Sequence, residues 1–477
     1  MLCACTFLAT ACVQPLGPGF RFSGREAEIR VPPANADELH IRVVDHFYNV
    51  GDRPLRSMEV RLPEGPNSET QTVRMTAGGK EISPEHNSDM DRRRMRAAID
   101  PEWKQLQPRE IVTEWDLKPE PSARGAVATT AAAFYIVDMT ALPLWQAPSG
   151  VFTKGGPDPA DEILTVYAPA DFRILAPGMP VRNKNAPAGS QAARSFHINP
   201  LEDFPHFVVA GRYNEQIVNT RRGAVSFWTF RPLDAQQAKT AAARLASSAR
   251  AFTDFFGPAS KGNTVIHVVE AAGELPAEFG DGHDPGGASF PNGVLLDSHA
   301  LAQGFSDEAV LELAEYKLAQ TWFGWRVRPL PEAQILMGRG IGLFGVLIAA
   351  EARGQDQRGR MIGSLLQRYD EARRVAADRR LILLPPEYTN AERNSTGYKA
   401  ALFLVALEDL CGHDNLRAAF KTIVKARAND TLGYKELRSA VEFESQRDLA
   451  EMFRLWLFQP GIPEDFRARY TKPSTTN

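Results

Sequence analysis

At 477 residues the chain is too long for one compact core and long enough for two or three domains, each burying its own apolar set. Apolar residues make up 43% and charged residues 24%, with a formal net charge of -3, which excludes a disordered chain and supplies no overall basic field for nucleic acid. Of the cysteines, Cys3, Cys5 and Cys12 fall near the start and only Cys411 lies in the body, so there is no internal disulfide framework.

The opening stretch Met1 to Ala11 is apolar and too short to span a bilayer. It ends in Ala9-Thr10-Ala11-Cys12, which resembles a bacterial lipoprotein cleavage box. That resemblance implies a leader within residues 1–19, lipidation of Cys12 and export to the cell envelope, against the plainer reading of an apolar N-terminus. No later stretch is apolar without interruption over about eighteen residues, so membrane attachment is expected only through the N-terminal lipid.

From about Arg30 to Trp228 short alternating runs such as Ile41 to Val44 and Met58 to Leu62 end at Gly, Pro, Asn or Asp, the pattern of strands. Residues 20–231 are therefore expected to form a β-sandwich, with Asn49-Val50-Gly51-Asp52 as a hairpin turn and further strands at Ile163 to Tyr167, Phe207 to Ala210 and Ala224 to Phe230. The basic run Arg92, Arg93, Arg94 and Arg96 reads as a solvated loop.

The pattern changes at Pro232-Leu233-Asp234, where Asp234 can cap a helix whose residues Ala238, Ala242, Leu245, Ala249, Phe252 and Phe256 recur at spacings of three and four. A strand is expected at Thr264 to Glu270, then a Gly-rich loop from Gly280 to Gly287, an apolar run at Val294 to Leu296, and mostly helix from Ser306 onward, the first running to about Trp322. The fold class is thus multidomain α+β, with a second domain over 232–470 that turns from α+β to helical and a short tail over 471–477.

Within that helix Leu318-Ala319-Gln320-Thr321-Trp322-Phe323-Gly324 resembles the end of the motif H-E-L-A-H-Q-W-F-G of the aminopeptidase N-type (gluzincin) zinc metallopeptidases. Counting back from Trp-Phe-Gly, Tyr316 stands where the first zinc histidine would be, Lys317 where the glutamate base would be, and Gln320 where the second histidine would be. The family's third ligand is a glutamate in a W-L-N-E-G-F-A segment eighteen residues beyond the second histidine; that position is Arg339, within Leu336 to Gly342. Gly286-Gly287-Ala288-Ser289-Phe290-Pro291 is similar to the substrate strand, with Ser289 in place of the glutamate that grips a substrate's amino terminus. Tyr398-Lys399-Ala400-Ala401 resembles the Y-E-K-G-A segment, with Tyr398 one place late for the tyrosine that stabilises the intermediate, and Trp456 to Pro463 resembles the closing W-x-x-x-P-G-x-P. The resemblance implies an N-terminal β-sandwich followed by a thermolysin-like α+β and helical peptidase domain.

A zinc of this class needs two histidines one helical turn apart, a carboxylate from a neighbouring helix and a site for water. Tyr316, Gln320 and Arg339 offer a phenol, an amide and a permanent cation, and a protonated Lys317 cannot take a proton from metal-bound water. No zinc or other cofactor is therefore expected, and the six positions Tyr316, Lys317, Gln320, Arg339, Ser289 and Tyr398 read as vestigial. Among the histidines no two stand four apart; Asp281, His283 and Asp284 read as a polar turn before a metal group, His267 as a satisfied core or edge histidine, and Ser289 as a loop hydroxyl before a nucleophile. Two function classes remain: a pseudopeptidase that holds a peptide or protein ligand in the inherited cleft, and a hydrolase with a relocated site drawing on Tyr398, His283 or Asp284. Arg339 is expected to point inward toward Tyr316 and Gln320, and Arg326 to be exposed.

Overall fold

The computed structural model describes residues 20–31, 39–49, 54–61, 73–82, 84–86, 94–117, 127–129, 133–136, 144–146, 161–181, 191–198, 207–259, 265–271, 275, 286–382 and 389–470. Cys12, residues 50–52 of the expected turn, Arg92, Arg93, Asp281, His283 and Asp284 lie outside them.

The N-terminal half is built of strands. An eight-stranded sheet runs in the spatial order Met179–Val181, Gln191–Ile198, Asp161–Pro169, Phe20–Arg30, Leu39–Asn49, Pro108–Leu117, Arg74–Ala77 and Lys80–Ile82. Its inner residues Ile29, Ile41, Val43, Leu164 and Val166 pack against Phe134, Ile136, Val208 and Ala210 of a four-stranded sheet, which gives the face-to-face core of a sandwich. The intervening residues of those same short strands, Ala133, Tyr135 and Val209, belong instead to the core of the second half. Ala133–Ile136 is therefore buried on both faces, which is why it reads as a continuous apolar run and not as an alternation.

Two local expectations change. Leu39–Asn49 pairs with Phe20–Arg30 and Pro108–Leu117, whereas Leu55–Arg61 pairs with Leu144–Gln146 and Arg94–Trp103, so no hairpin joins them; the chain changes sheet there. Arg94 and Arg96 lie on the strand Arg94–Trp103 and not on a loop.

Strands Asn214–Thr220 and Gly223–Thr229 form a hairpin whose second strand pairs in parallel with Ile266–Glu270. With Gly293–Leu296 and the edge strand Gly287–Phe290 they make a five-stranded sheet, so the division expected at residue 232 falls inside one sheet's connection. That connection is α1 (Ala235–Phe256), capped by the Asp234 carboxylate accepting from the Gln236 and Gln237 amides, with its small residues Ala238, Ala241, Ala242 and Ala246 buried. The helices that follow are α2 (Ser298–Gln303), α3 (Glu308–Ala319), α4 (Ile341–Arg353), α5 (Gln355–Val375), α6 (Asn390–Cys411), α7 (His413–Ala426), α8 (Tyr434–Ser445), α9 (Ala450–Leu457) and α10 (Glu464–Tyr470).

Helix α3 is capped by Asp307 and stops at Ala319 rather than Trp322, because the next residues close a tight turn in which the Val327 amide donates to the Trp322 carbonyl. A π-helical turn, Ile335–Gly340, runs straight into α4. The combined helix Ile335–Arg353 has a mean hydropathy of 1.6, enough for a membrane span by composition, but 72% of that window is buried inside the fold and it serves as a core helix.

Candidate functional site

The site is built where α3, α4 and α6 meet. Glu315 on α3 has no exposed surface and is held from three sides: Arg244 of α1 donates to it at 2.8 and 3.0 Å, Arg353 of α4 at 2.6 Å, and the Ser248 hydroxyl at 2.6 Å. A carboxylate that costs several kcal/mol to desolvate is thus compensated by two guanidiniums, and the register of α3 against α1 and α4 is pinned next to Tyr316 and Lys317. At its other end α3 is fixed by Trp322, whose indole N–H donates to the Gly257 carbonyl at 2.7 Å, and by Phe323 packing on Phe256 and Phe420.

Glycines let the helices approach. A Cβ at Gly342 would lie 2.5 Å from the Tyr316 ring, one at Gly345 would lie 2.3 Å from the Ala319 Cβ, and one at Gly340 would lie 2.8 Å from the Ala400 Cβ. Gly342 and Gly345 thus receive Tyr316 and Ala319, equally spaced on α3, while Gly340 receives α6. The Gln320 amide reaches the same helix, its Nε2 lying 3.5 Å from the Gly338 carbonyl oxygen.

Arg339 leaves the π-helical turn toward α6. Its stem lies against Gly397, where a Cβ would sit 3.4 Å from both Cβ and Cδ of the arginine, and its Nη1 donates to Asn394 Oδ1 at 3.0 Å. Arg339 is half-buried, and an amide on α6 is one acceptor of its guanidinium. The structure therefore brings Tyr316, Gln320 and Arg339 to one helix junction, with Lys317 beside them at 6% exposure and its Nζ 5.3 Å from the centroid of the Tyr316 ring.

Ser289 lies on the edge strand Gly287–Phe290, where the Trp325 indole N–H donates to its carbonyl at 3.1 Å and its hydroxyl at 3.3 Å. Tyr398 is buried, one position on from Gly397, which is the α6 residue facing Arg339. The next residue, Lys399, is fully buried and donates to the Gln459 carbonyl at 2.5 Å; burial lowers its pKa to about 8. This lysine ties Gln459, the residue before Pro460-Gly461-Ile462-Pro463, to α6, while the Gly461 amide donates to Asp378.

Arg326, expected to be exposed, is buried and donates to Asn429 Oδ1, because the tight turn after α3 folds it inward. His267 was expected to be satisfied. Its Nδ1 is instead buried without a hydrogen-bond partner, and burial lowers its pKa to about 4, with Glu215 opposing the shift.

Asn394, Gly397 and Glu315 were missed from sequence, since an amide, a glycine and a carboxylate in ordinary helical company carry no motif. The glycines at 338, 340, 342 and 345 within an otherwise apolar helix were the legible signal of a close helix crossing.

The sequence matches no protein-family model and no curated protein. Among solved structures it is similar to an M1 zinc metallopeptidase from Deinococcus radiodurans, at 16% identity and a TM-score of 0.64 over 94% of this chain and 96% of that one. It is also similar to a mutant of that metallopeptidase bound to a Tyr-Ser-Ala substrate, at 16% identity and a TM-score of 0.64 over 93% and 95% of the two chains. A two-domain M1 zinc metallopeptidase mutant bound to L-arginine matches at 15% identity and a TM-score of 0.65, again over 93% and 95%. The fold is that of the two-domain M1 zinc metallopeptidases.

The residues at the junction do not fit the zinc that this fold implies. Tyr316 is buried with its ring against Gly342, the Gln320 amide is turned to a backbone carbonyl, and the third position carries a guanidinium that repels a dication. Elsewhere among the described residues Glu351, Glu408 and His413 bring ligand atoms within 4.8 Å of one another, but both carboxylates already pair with Arg358.

Proposed function

We propose that the chain is a pseudopeptidase: a protein with the M1 metallopeptidase scaffold that holds a peptide or protein in the cleft beside α3 and α6 and does not hydrolyse it. The observation that carries this reading is the place of Arg339, which lies along Gly397 and bonds Asn394 next to the Gln320 contact with Gly338. A fixed cation there removes the electrostatic reason for a metal, and neither Tyr316 nor Lys317 at its side can serve as ligand and carboxylate base. With the Ala-Thr-Ala-Cys box, the reading extends to an exported protein lipidated at Cys12.

Metal analysis of the purified protein, run beside an aminopeptidase assay over a panel of aminoacyl substrates, tests the central claim. The expected outcome is substoichiometric zinc and no turnover. Stoichiometric zinc with turnover would overturn it. Mass spectrometry of the mature N-terminus from the native host tests the anchor: an intact Met1 with unmodified Cys12 would remove the export claim.

A further inference from the structure

A cavity of about 400 Å³ lies between α7 and α8, and none of the residues placed at the junction of α3, α4 and α6 lines it. Its floor is apolar: Ile423 and Leu432 are buried in the core of the second half, and Ala426 and Ala440 add only methyl groups. That floor is also held in place. Leu432 lies on the short strand Thr431–Leu432, which pairs with Arg328–Pro329, and its carbonyl accepts from the Leu330 amide at 2.9 Å. Just beyond α7, Asn429 accepts from both Arg326 and Arg328.

The charged groups that line the cavity are Arg427, Glu436 and Lys435. Arg427 donates to Asp430 at 3.0 Å, and the Glu436 carboxylate accepts from the Gly433 amide at 3.1 Å as part of the α8 cap. Lys435, by contrast, has no ion pair and no hydrogen bond through its ammonium among the described residues. It stands in the first turn of α8, where the helix dipole opposes a cation and favours an anion. Ser439 lines the same cavity, and its hydroxyl bonds no described residue either. Being four apart, Lys435 and Ser439 share one face of α8. The cavity thus offers an unengaged ammonium and an unengaged hydroxyl at the rim of an apolar floor.

Small-molecule sites are cavities of roughly 300–1,000 Å³ with apolar walls and a few polar groups that fix orientation. We propose that this cavity binds a small apolar monocarboxylate, its hydrocarbon body on Ile423 and Leu432 and its carboxylate on the Lys435 ammonium and the Ser439 hydroxyl. A carboxylate only accepts and so answers both donors at once, whereas an alcohol brings no charge to Lys435 and an amine repeats the charge already there. The proposal does not depend on the peptide cleft.

Calorimetric titration of the full chain with hexanoate, acetate, hexanol and hexylamine tests it. Hexanoate is expected to bind about tenfold more tightly than hexanol, the difference a charge-assisted bond supplies, and more tightly than acetate or hexylamine. Both test substitutions fall at exposed positions. Lys435→Gln is expected to remove the preference for the acid over the alcohol, and Ser439→Trp, which fills the cavity, to abolish hexanoate binding. Equal binding of hexanoate and hexanol to the unaltered protein would overturn the acid site, and needs no variant to fold. Acetate binding as tightly as hexanoate would overturn the part given to the apolar floor, and with it the ligand class. A preference for the acid that survives Lys435→Gln in a folded variant would overturn the role of Lys435, and hexanoate binding that survives Ser439→Trp would place it elsewhere on the protein. Absence of saturable hexanoate binding would overturn the proposal outright.

Discussion

Alanine at Gly342 would place a methyl carbon 2.5 Å from Tyr316 Cε2 and 2.6 Å from Cδ2. Non-bonded carbons are comfortable at about 3.5–4.0 Å, so the ring or the helix must give by about 1 Å. Tyr316 has no exposed surface through which to swing away. Overpacking of this kind costs about 1–3 kcal/mol, while exchanging glycine for alanine in a helix interior returns about 1 kcal/mol. Gly342→Ala is therefore expected to destabilise the protein by up to about 2 kcal/mol. Tyr316→Ala alone should cost about 3–5 kcal/mol through the cavity it leaves. Combined, the new methyl enters the vacated space and its clash disappears, so the double variant should be more stable than the sum of the singles by about 1–3 kcal/mol. Urea unfolding of the four proteins closes the cycle. Additivity to within about 0.5 kcal/mol would refute the contact between Tyr316 and α4, and with it the account of how a phenol is accommodated at that position.

The remaining expectations concern neighbouring groups. His267 has a folded pKa of about 4, below its usual 6.5, so between these values the unfolded chain binds more protons and stability rises with pH; the contribution, about 3 kcal/mol at most, is lost as pH falls through 6.5 toward 4. The stability difference between His267→Phe and the unaltered chain, followed from pH 4 to 7 by urea midpoints, should show that slope, and a flat difference would contradict the burial of a neutral imidazole. Lys399→Met leaves the Gln459 carbonyl without its donor and should cost about 1–3 kcal/mol. Because the Lys399 pKa is lowered to about 8 from 10.5, the unaltered protein's stability should gain a rising component across that window which the variant lacks. Glu315→Ala removes the acceptor of two guanidiniums at once and should cost about 3–5 kcal/mol, read from the thermal midpoint; a loss under 1 kcal/mol would show that the arginines find other partners. Finally, Tyr316→His, Lys317→Glu, Gln320→His and Arg339→Glu together should recover zinc binding by metal analysis more readily than turnover, since Ser289 and the shifted Tyr398 still leave substrate anchoring and intermediate stabilisation unsupplied. A folded quadruple variant without zinc would show that α3 and α4 are not set for a metal.

The sequence by itself determined the two-part architecture and the helices of the second half. Periodicity at spacings of three and four fixes α1, and its Asp234 cap is a local hydrogen bond readable from residue type. It also put Tyr316 and Gln320 on one face of a helix, because helix geometry converts a spacing of four into a face, whereas the position of Arg339 was implied only by the family resemblance. Tertiary structure alone decided what those faces meet. Which sheet a strand joins depends on partners far along the chain, so Leu39–Asn49 and Leu55–Arg61 parted into different sheets although they read as one hairpin. Arg326 turned inward through a bend set by the Trp322 carbonyl, and His267 lost its Nδ1 partner to packing beside Trp228. That Arg339 would meet Asn394 was likewise undecidable from sequence, because a guanidinium on a long stem takes the neighbours that the helix crossing supplies, and the close approach at Gly340 and Gly397 brought Asn394 within 3.0 Å.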